Sequence, residues 1–494
     1  MLGTIPTILF ATLAVLLVAF WRKVRRYPSG PFPLPVIGNL WSMKRWPQCF
    51  YKMGPSLGQK YGDPLTLWFG WFPIVVANDL SIIKEASVGP KRSHLAGRLQ
   101  FSVGTLQKRG NEDIVFGKFG PEWEALRKVA HLAVRKYAVT EGLENLVTEV
   151  IDDIIDHSSP EEPFDLDAEM LEALHNIIGL CVFGQKYERD SEDLRTIRRI
   201  NGELKLLLPK VFLIDFMPPL RLFLSRYENR SKELFDEFIA LEMRLYKQAR
   251  ETFEPGQIRH FTDAIVAAKL EAEEEARGIA KYLTEGNLTQ IVYDVFGAAT
   301  PTTSQTLKWL LLYAFADEKV LARCRAEIES QIGDRQPRAS DRNECPFINA
   351  CILEVLRIRP VSPFSLPHLT TCDTSLAGRP IPKDTTVLFN LYSANHDPRI
   401  WEDPETFEPE RFLGDEGALR KDRVAQLTTF GVGARACIGE KMAFTVMFVL
   451  FTRFLQRVES VKTRSGAPFD LEPKSSGYSC EPKPQPLTLV KFEV

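Results

Sequence analysis

Residues Phe430 to Gly439 read F-G-V-G-A-R-A-C-I-G, and this stretch decides the fold. It sets one cysteine, Cys437, in a glycine-punctuated loop that runs into an apolar segment. Beyond it Met442, Ala443, Val446, Met447, Val449, Leu450, Phe454 and Leu455 recur at helical spacing. The spacing places the sulfur at or near a helix N-terminus, where unpaired backbone N–H groups favour thiolate over thiol. Gly431, Gly433 and Gly439 let the backbone pass close to a flat ligand. Phe430 can pack against the thiolate side of such a ligand, and Arg435 can pair with a carboxylate.

A lone cysteine is ordinarily a buried, inert thiol. Here Phe430, Gly433, Arg435, Cys437 and Gly439 coincide, which composition alone produces in roughly one chain of this length in ten thousand. The inert reading therefore gives way. A thiolate so held suits a heme iron, to which it donates electron density that favours O–O cleavage. The loop resembles the F-x-x-G-x-R-x-C-x-G loop of the cytochrome P450 family. That resemblance implies heme b with Cys437 on the iron and Phe430, Gly433, Arg435 and Gly439 around it.

The 494 residues, 45% hydrophobic, supply ample core, and the motifs scattered from Trp123 to Cys437 argue for one large catalytic domain over 41–494. A net charge of −2 gives no case for nucleic acid. Eight cysteines without regular spacing or a C-x-x-C pair argue against a disulfide framework and against zinc, and a reducing compartment fits. Leu2 to Trp21 carry no charge, and Arg22, Lys23, Arg25 and Arg26 follow at once. Residues 1–21 thus read as a transmembrane anchor, and the basic flank leaves the catalytic domain in the cytosol. The expected location is the endoplasmic reticulum membrane, single-pass. Residues 22–40, rich in basic residues and proline, read as a hinge and spacer, and P-x-G-P-x-P-L-P-x-I-G-N resembles the hinge of membrane-bound animal members.

Leu65–Phe69 and Pro73–Ala77 form an expected hairpin that seeds a small sheet; helices are expected over 121–138, 141–157 and 167–184. Trp123 and Arg127 lie four apart on the first of these, and in the resembled family W-x-x-x-R donates to a heme propionate. Arg127, Lys128, Arg135, Lys136 and Lys441 offer a basic face for an acidic electron donor. Val211–Leu224, broken by Pro218-Pro219, reads as two short apolar pieces that dip into lipid beside a substrate entrance or are simply buried.

Asn287 to Ala314 is long and apolar, as expected of a helix through the middle of the domain. Its centre, Phe296 to Ser304, resembles the family's oxygen-binding stretch, A/G-G-x-D/E-T-T/S. Thr302 keeps the alcohol and Thr303 follows it, but Pro301 stands at the acid position and Ala299 replaces the usual glycine. Proline offers no proton and removes the N–H that reaches the Gly297 carbonyl, so a kink is expected here. Protons must come through Thr302, Thr303 and ordered water, or from the substrate. Phe296, Ala298, Ala299, Val361 and Phe364 are the expected pocket residues.

Glu354 and Arg357 match the family's E-x-x-R, and Pro409-Glu410-Arg411-Phe412 its P-E-R-F; the resemblance implies a buried Glu354, Arg357, Arg411 brace. His368 becomes a propionate donor by family position, and Ser475–Cys480 an element that closes the pocket. Taken together, the resemblance implies a mainly α cytochrome P450 fold with a small β-sheet region and an N-terminal transmembrane helix. It lies nearest in style to animal microsomal steroid 17-hydroxylases and xenobiotic hydroxylases. It implies a monooxygenase acting on a lipophilic substrate, with NADPH electrons from a flavoprotein reductase, cytochrome b5 as a further partner, and membrane lipid. Two other readings stand beside it: a heme-thiolate isomerase or dehydratase of hydroperoxides, and a non-catalytic heme-binding protein.

Overall fold

The computed structural model describes residues 4–43, 50–108, 110–137, 141–189, 191–475 and 479–492. Its organising element is helix Glu285–Ala316, capped by the Thr284 hydroxyl, which accepts from the Asn287 amide at 3.2 Å. This helix is apolar on most faces because it is packed on most faces: Ile291, Val292, Leu307 and Leu310 are fully buried. Helix Leu166–Phe183 lies along it, started by the Asp165 side chain and ended by Gly184 at φ +71°. Helices Glu141–His157 and Glu440–Arg457 pack on each other and join the same core through residues such as Leu143, Ile151, Val449 and Phe451.

The hairpin joins Leu65–Phe69 to Phe72–Ala77 in the register Phe69 opposite Phe72, with Gly70 at φ +61° taking the turn. The larger sheet runs in the order 65–69, 72–77, 386–389, 368–369, 97–98. All pairs are antiparallel except 72–77 with 386–389. One consequence reaches the site: this pairing sets Arg98 opposite His368.

One expectation is corrected. Val211–Leu224 is not two short pieces but the corner between helices Glu192–Phe216 and Arg221–Glu251, turned by Pro218–Leu220. The prolines break only the corner, because each flanking helix has its own apolar face to bury. The 22–40 segment is held against the body of the protein. Asn39 bonds both ways to the Trp68 backbone, Ser29 accepts from the Thr66 amide, and Phe20 packs against Trp68 and Trp71 at 5.6 and 5.2 Å. The apolar stretch 1–21 falls largely in helix Thr4–Val24, whose side chains at 4–10 and 13 lie outside the description. Among the described residues no helix is long and apolar enough to cross a membrane.

Candidate active site

Gly431 and Gly433 sit at φ +73°, a conformation that side-chain-bearing residues rarely adopt, and a Cβ on Gly433 would meet Ser87 Cα at 3.3 Å. The turn closes with the Cys437 amide donating to the Phe430 carbonyl at 2.7 Å, and the Phe430 ring rests on Phe444. Cys437 therefore stands three residues ahead of helix Glu440–Arg457, with its surface open to a solvent-sized probe. Its thiol is nevertheless pushed up by burial; the Gly439 and Glu440 amides and Arg127 oppose this, and the Glu440 carboxylate adds to it. The two findings agree if the open surface faces an interior space.

A second opening interrupts the central helix. Between buried flanks, Ala298, Pro301 and Thr302 are exposed, and a Cβ on Gly297 would meet nothing within 4 Å. Thr302 Oγ1 donates to the Ala298 carbonyl at 2.9 Å. The helix runs through Pro301 as one element. Three expected residues lie elsewhere. Thr303 is buried off the open face. Phe296 is buried against Phe183, His175 and Phe238, because its position in the turn points into the core. Phe364 packs on Phe50 beside the hairpin, while Leu366, 46% exposed, is the open apolar position of that segment. Ala299 and Val361 are half-buried, and the Val361 carbonyl accepts from the Cys480 amide at 3.2 Å. Of the 475–480 closing element, residues 476–478 and the Ser475 side chain lie outside the description.

Around the loop the fold gathers buried cations that face carbonyls instead of carboxylates. Arg435 donates to the Ala96, Ile114 and Gly117 carbonyls at 2.8, 3.4 and 2.6 Å, and its guanidinium stacks on Trp123 at 3.8 Å. Arg98 donates to the Val115, Leu366 and Pro367 carbonyls. Arg127 donates to the Ala436 carbonyl, and Trp123 Nε1 to Ile114. Burial, then mutual repulsion, pushes Arg435 down to about 8, and burial with repulsion from Arg127 pushes Arg98 down to about 9. His368 bonds through Nδ1 to the Leu95 carbonyl at 2.6 Å and is held neutral by burial and by Arg98. Asp113 is the one carboxylate that counters Arg98 and Arg435 among the interactions described.

The chain matches the family description Cytochrome P450 over residues 28–489. The chain belongs to the cytochrome P450 family. It is 31% identical over 450 residues to cytochrome P450 1A1 of Rattus norvegicus, covering 88% of this chain and 85% of that one. The Homo sapiens 1A1 protein is 30% identical over 452 residues, covering 88% and 87%. A solved zebrafish cytochrome P450 with progesterone superposes with a TM-score of 0.78 at 27% identity, covering 90% of this chain and 99% of that one. Membership makes heme b the cofactor and the protein a monooxygenase oxidoreductase. Thiolate ligation is the established arrangement of P450 iron, where it favours O–O cleavage.

The residues present fit a P450 heme. Asp113 alone counters Arg98 and Arg435 among the interactions described, and a cofactor carrying two carboxylates supplies further negative charge to these buried guanidinium groups. Sequence reasoning missed Arg98. Its signal was there, a single arginine in an apolar run, H-L-A-G-R-L, but its significance depends on pairing with a strand 270 residues away.

The brace is assembled. Arg357 donates twice to Glu354 at 2.7 Å, and Arg411 donates to Glu354 at 3.0 Å; Glu354 and Arg357 are fully buried. Arg357 also bonds the Asn395, Pro404 and Thr406 carbonyls. On the outer side a cleft of about 540 Å³ runs past Arg92, Trp123, Arg127, Lys128, His131 and Ala434.

Proposed function

We propose that this P450 is a microsomal-type enzyme that inserts one oxygen atom of O2 into a lipophilic substrate, steroid-like or xenobiotic. Residues 1–21 anchor it in the endoplasmic reticulum membrane, 22–40 form the hinge, and 41–494 form the cytosolic catalytic domain. NADPH electrons arrive through a flavoprotein reductase, with cytochrome b5 as a further donor.

The observation that carries this reading is a pair of openings, Cys437 exposed in a half-buried loop and Ala298, Pro301 and Thr302 exposed between buried flanks of the central helix. Read as one space, they leave room for heme, which when bound supplies the oxygen chemistry. Cys437 then holds the iron, and Trp123, Arg127, His368 and Arg435, joined by Arg98, hold the propionates. Phe430, Gly433 and Gly439 shape the loop, and Glu354, Arg357 and Arg411 brace it. Thr302 is the group that passes protons, because its hydroxyl lies at the open face and already has an acceptor in Ala298. The basic cleft beside Arg127 and Lys128 supports docking of an acidic electron donor within reach of the loop. Leu222 and Phe223, 84% and 77% exposed at the proline corner, support contact with lipid there.

Pro301 favours a second reading, an isomerase or dehydratase of hydroperoxides, because such chemistry needs no proton delivery from an acid at that position. The reduced carbon monoxide difference spectrum, with Cys437→Ser as control, tests the thiolate. Substrate-dependent NADPH consumption with reductase supports the monooxygenase; hydroperoxide turnover without reductase supports the alternative.

A further inference from the structure

We propose that Gln305 is a positioning residue: it holds the water through which protons reach Thr302, in place of the acid missing at Pro301. This rests on the monooxygenase reading above.

The open positions of the central helix, Ala298, Pro301 and Thr302, are joined by half-buried Gln305 at spacings of three, four and seven, which is one helix face. On that stripe only Thr302 and Gln305 carry polar side chains. Helical side chains lean toward the N-terminus, so Gln305 covers the turn that contains Pro301 and Thr302. Its Oε1 is buried and meets no hydrogen-bond donor among the described residues. An acceptor left so costs about 1–3 kcal/mol, and a bound water with two or more polar partners removes that cost.

The partners are at hand. Pro301 has no N–H, so the Gly297 carbonyl keeps an acceptor site, with open room at Gly297. Thr302 donates its proton to the Ala298 carbonyl, so its oxygen keeps free lone pairs that can accept from the held water, and rotation of the hydroxyl off Ala298 frees its own proton as the water's is taken up. A carboxamide both donates and accepts, which lets it orient a water without ionising. Gln305 therefore supplies no proton; the proton comes from solvent through the held water. In a monooxygenase turnover one oxygen atom enters the substrate and the other leaves as water, consuming protons with the electrons from NADPH. Poor delivery diverts those electrons to released peroxide.

The test uses the full-length, heme-loaded protein and the variants Gln305→Leu, Gln305→Asn and Gln305→Glu. The C–O stretch of the reduced carbon monoxide form, measured in H2O and D2O, reports hydrogen bonding in the cavity without turnover. The unsubstituted protein should give a band that moves in D2O. Q305L should shift the band and lose its isotope response, and product per NADPH should fall about tenfold, less than the roughly 10²–10⁴ of a group that transfers the proton itself because Gln305 only positions the water, with peroxide making up the balance. Q305E should restore product per NADPH. If Q305L loses heme, Q305N decides, because it shortens the reach by one methylene and should shift the band in the same way. A heme-thiolate spectrum with unchanged band and unchanged coupling in Q305L or Q305N overturns the role of Gln305 alone. Absence of that spectrum in the unsubstituted protein overturns the reading beneath it as well.

Discussion

Asn395 donates from Nδ2 to Thr429 Oγ1 at 3.0 Å, and Thr429 donates onward to the Leu356 carbonyl at 2.8 Å. Leu356 precedes Arg357, Thr429 precedes Phe430, and the Asn395 carbonyl accepts from Arg357 at 2.9 Å. The buried ion group is thereby tied to the first residue of the cysteine loop, so a fault in the brace is felt where Cys437 is aimed.

Thr429→Val removes both bonds at once and leaves two groups unpaired, at a cost of about 1–3 kcal/mol. Heme per polypeptide should fall while the chain still folds, and Thr429→Ser should recover it. Arg357→Ala leaves buried Glu354 with Arg411 as its one remaining cation, at a cost of up to about 3–5 kcal/mol, and should yield protein without heme. Full heme content in Thr429→Val would show that the loop is held by other contacts.

Arg98→Leu separates the two forms of the protein. With heme bound, a charge-assisted hydrogen bond of about 1.5–3 kcal/mol is lost. Without heme, a buried cation countered only by Asp113 is removed along with its carbonyl contacts, so the net loss should be smaller. Chemical denaturation of the loaded and heme-free forms checks this, and an equal loss in both would take Arg98 out of the propionate set.

The hairpin, the long central helix and the E-x-x-R helix were legible because each is written in local periodicity, and Glu354 and Arg357 are only a turn apart. The surroundings of Phe296 and Phe364 were hidden for the opposite reason. An aromatic beside a motif can face cofactor or core, and only Phe183, Phe238 and Phe50, distant in sequence, decide. Val211–Leu224 was misread because two prolines mark a break without saying how far the flanking helices extend.

The Asp113 carboxyl, pushed up to about 6 by burial against the opposition of Lys108 and the Phe116 and Gly117 amides, sets a pH dependence. Asp294 beside it is pushed well above the carboxylate range by burial and by Asp113. A carboxyl with a raised folded pKa favours the folded state below its unfolded value near 4. That stability is lost as pH rises through about 6, on the order of 2–3 kcal/mol for Asp113. Asp113→Asn should flatten the denaturation midpoint between pH 4 and 7. A slope unchanged in the variant would assign it to other groups.

Leu222 and Phe223 leave apolar side chains in water at the proline corner, and about 1.5–3 kcal/mol per side chain is available on burial. The double variant Leu222→Ser, Phe223→Ser should stay on phospholipid vesicles through residues 1–21 but lose affinity for lipophilic substrates delivered from the bilayer. Unchanged affinity for such substrates would take the corner out of their path.

Pro301→Asp tests the central departure from the family pattern on two axes that need not move together. Restoring an N–H toward the Gly297 carbonyl and relieving a helix-interior proline should raise stability; the intrinsic preference is about 2–3 kcal/mol, and the open face lets aspartate fit without repacking. The thermal midpoint should rise. The carboxylate also lies at the position where the family places its proton-handling acid, so product per NADPH should rise with it. A stabilised variant with unchanged coupling would mean that the hydroxyl and amide side chains of this helix already deliver protons fast enough, and that proline was accepted here because the acid had become dispensable. A destabilised variant would place the Gly297 carbonyl in a bond that Pro301 protects, and would remove the argument that this acceptor is open.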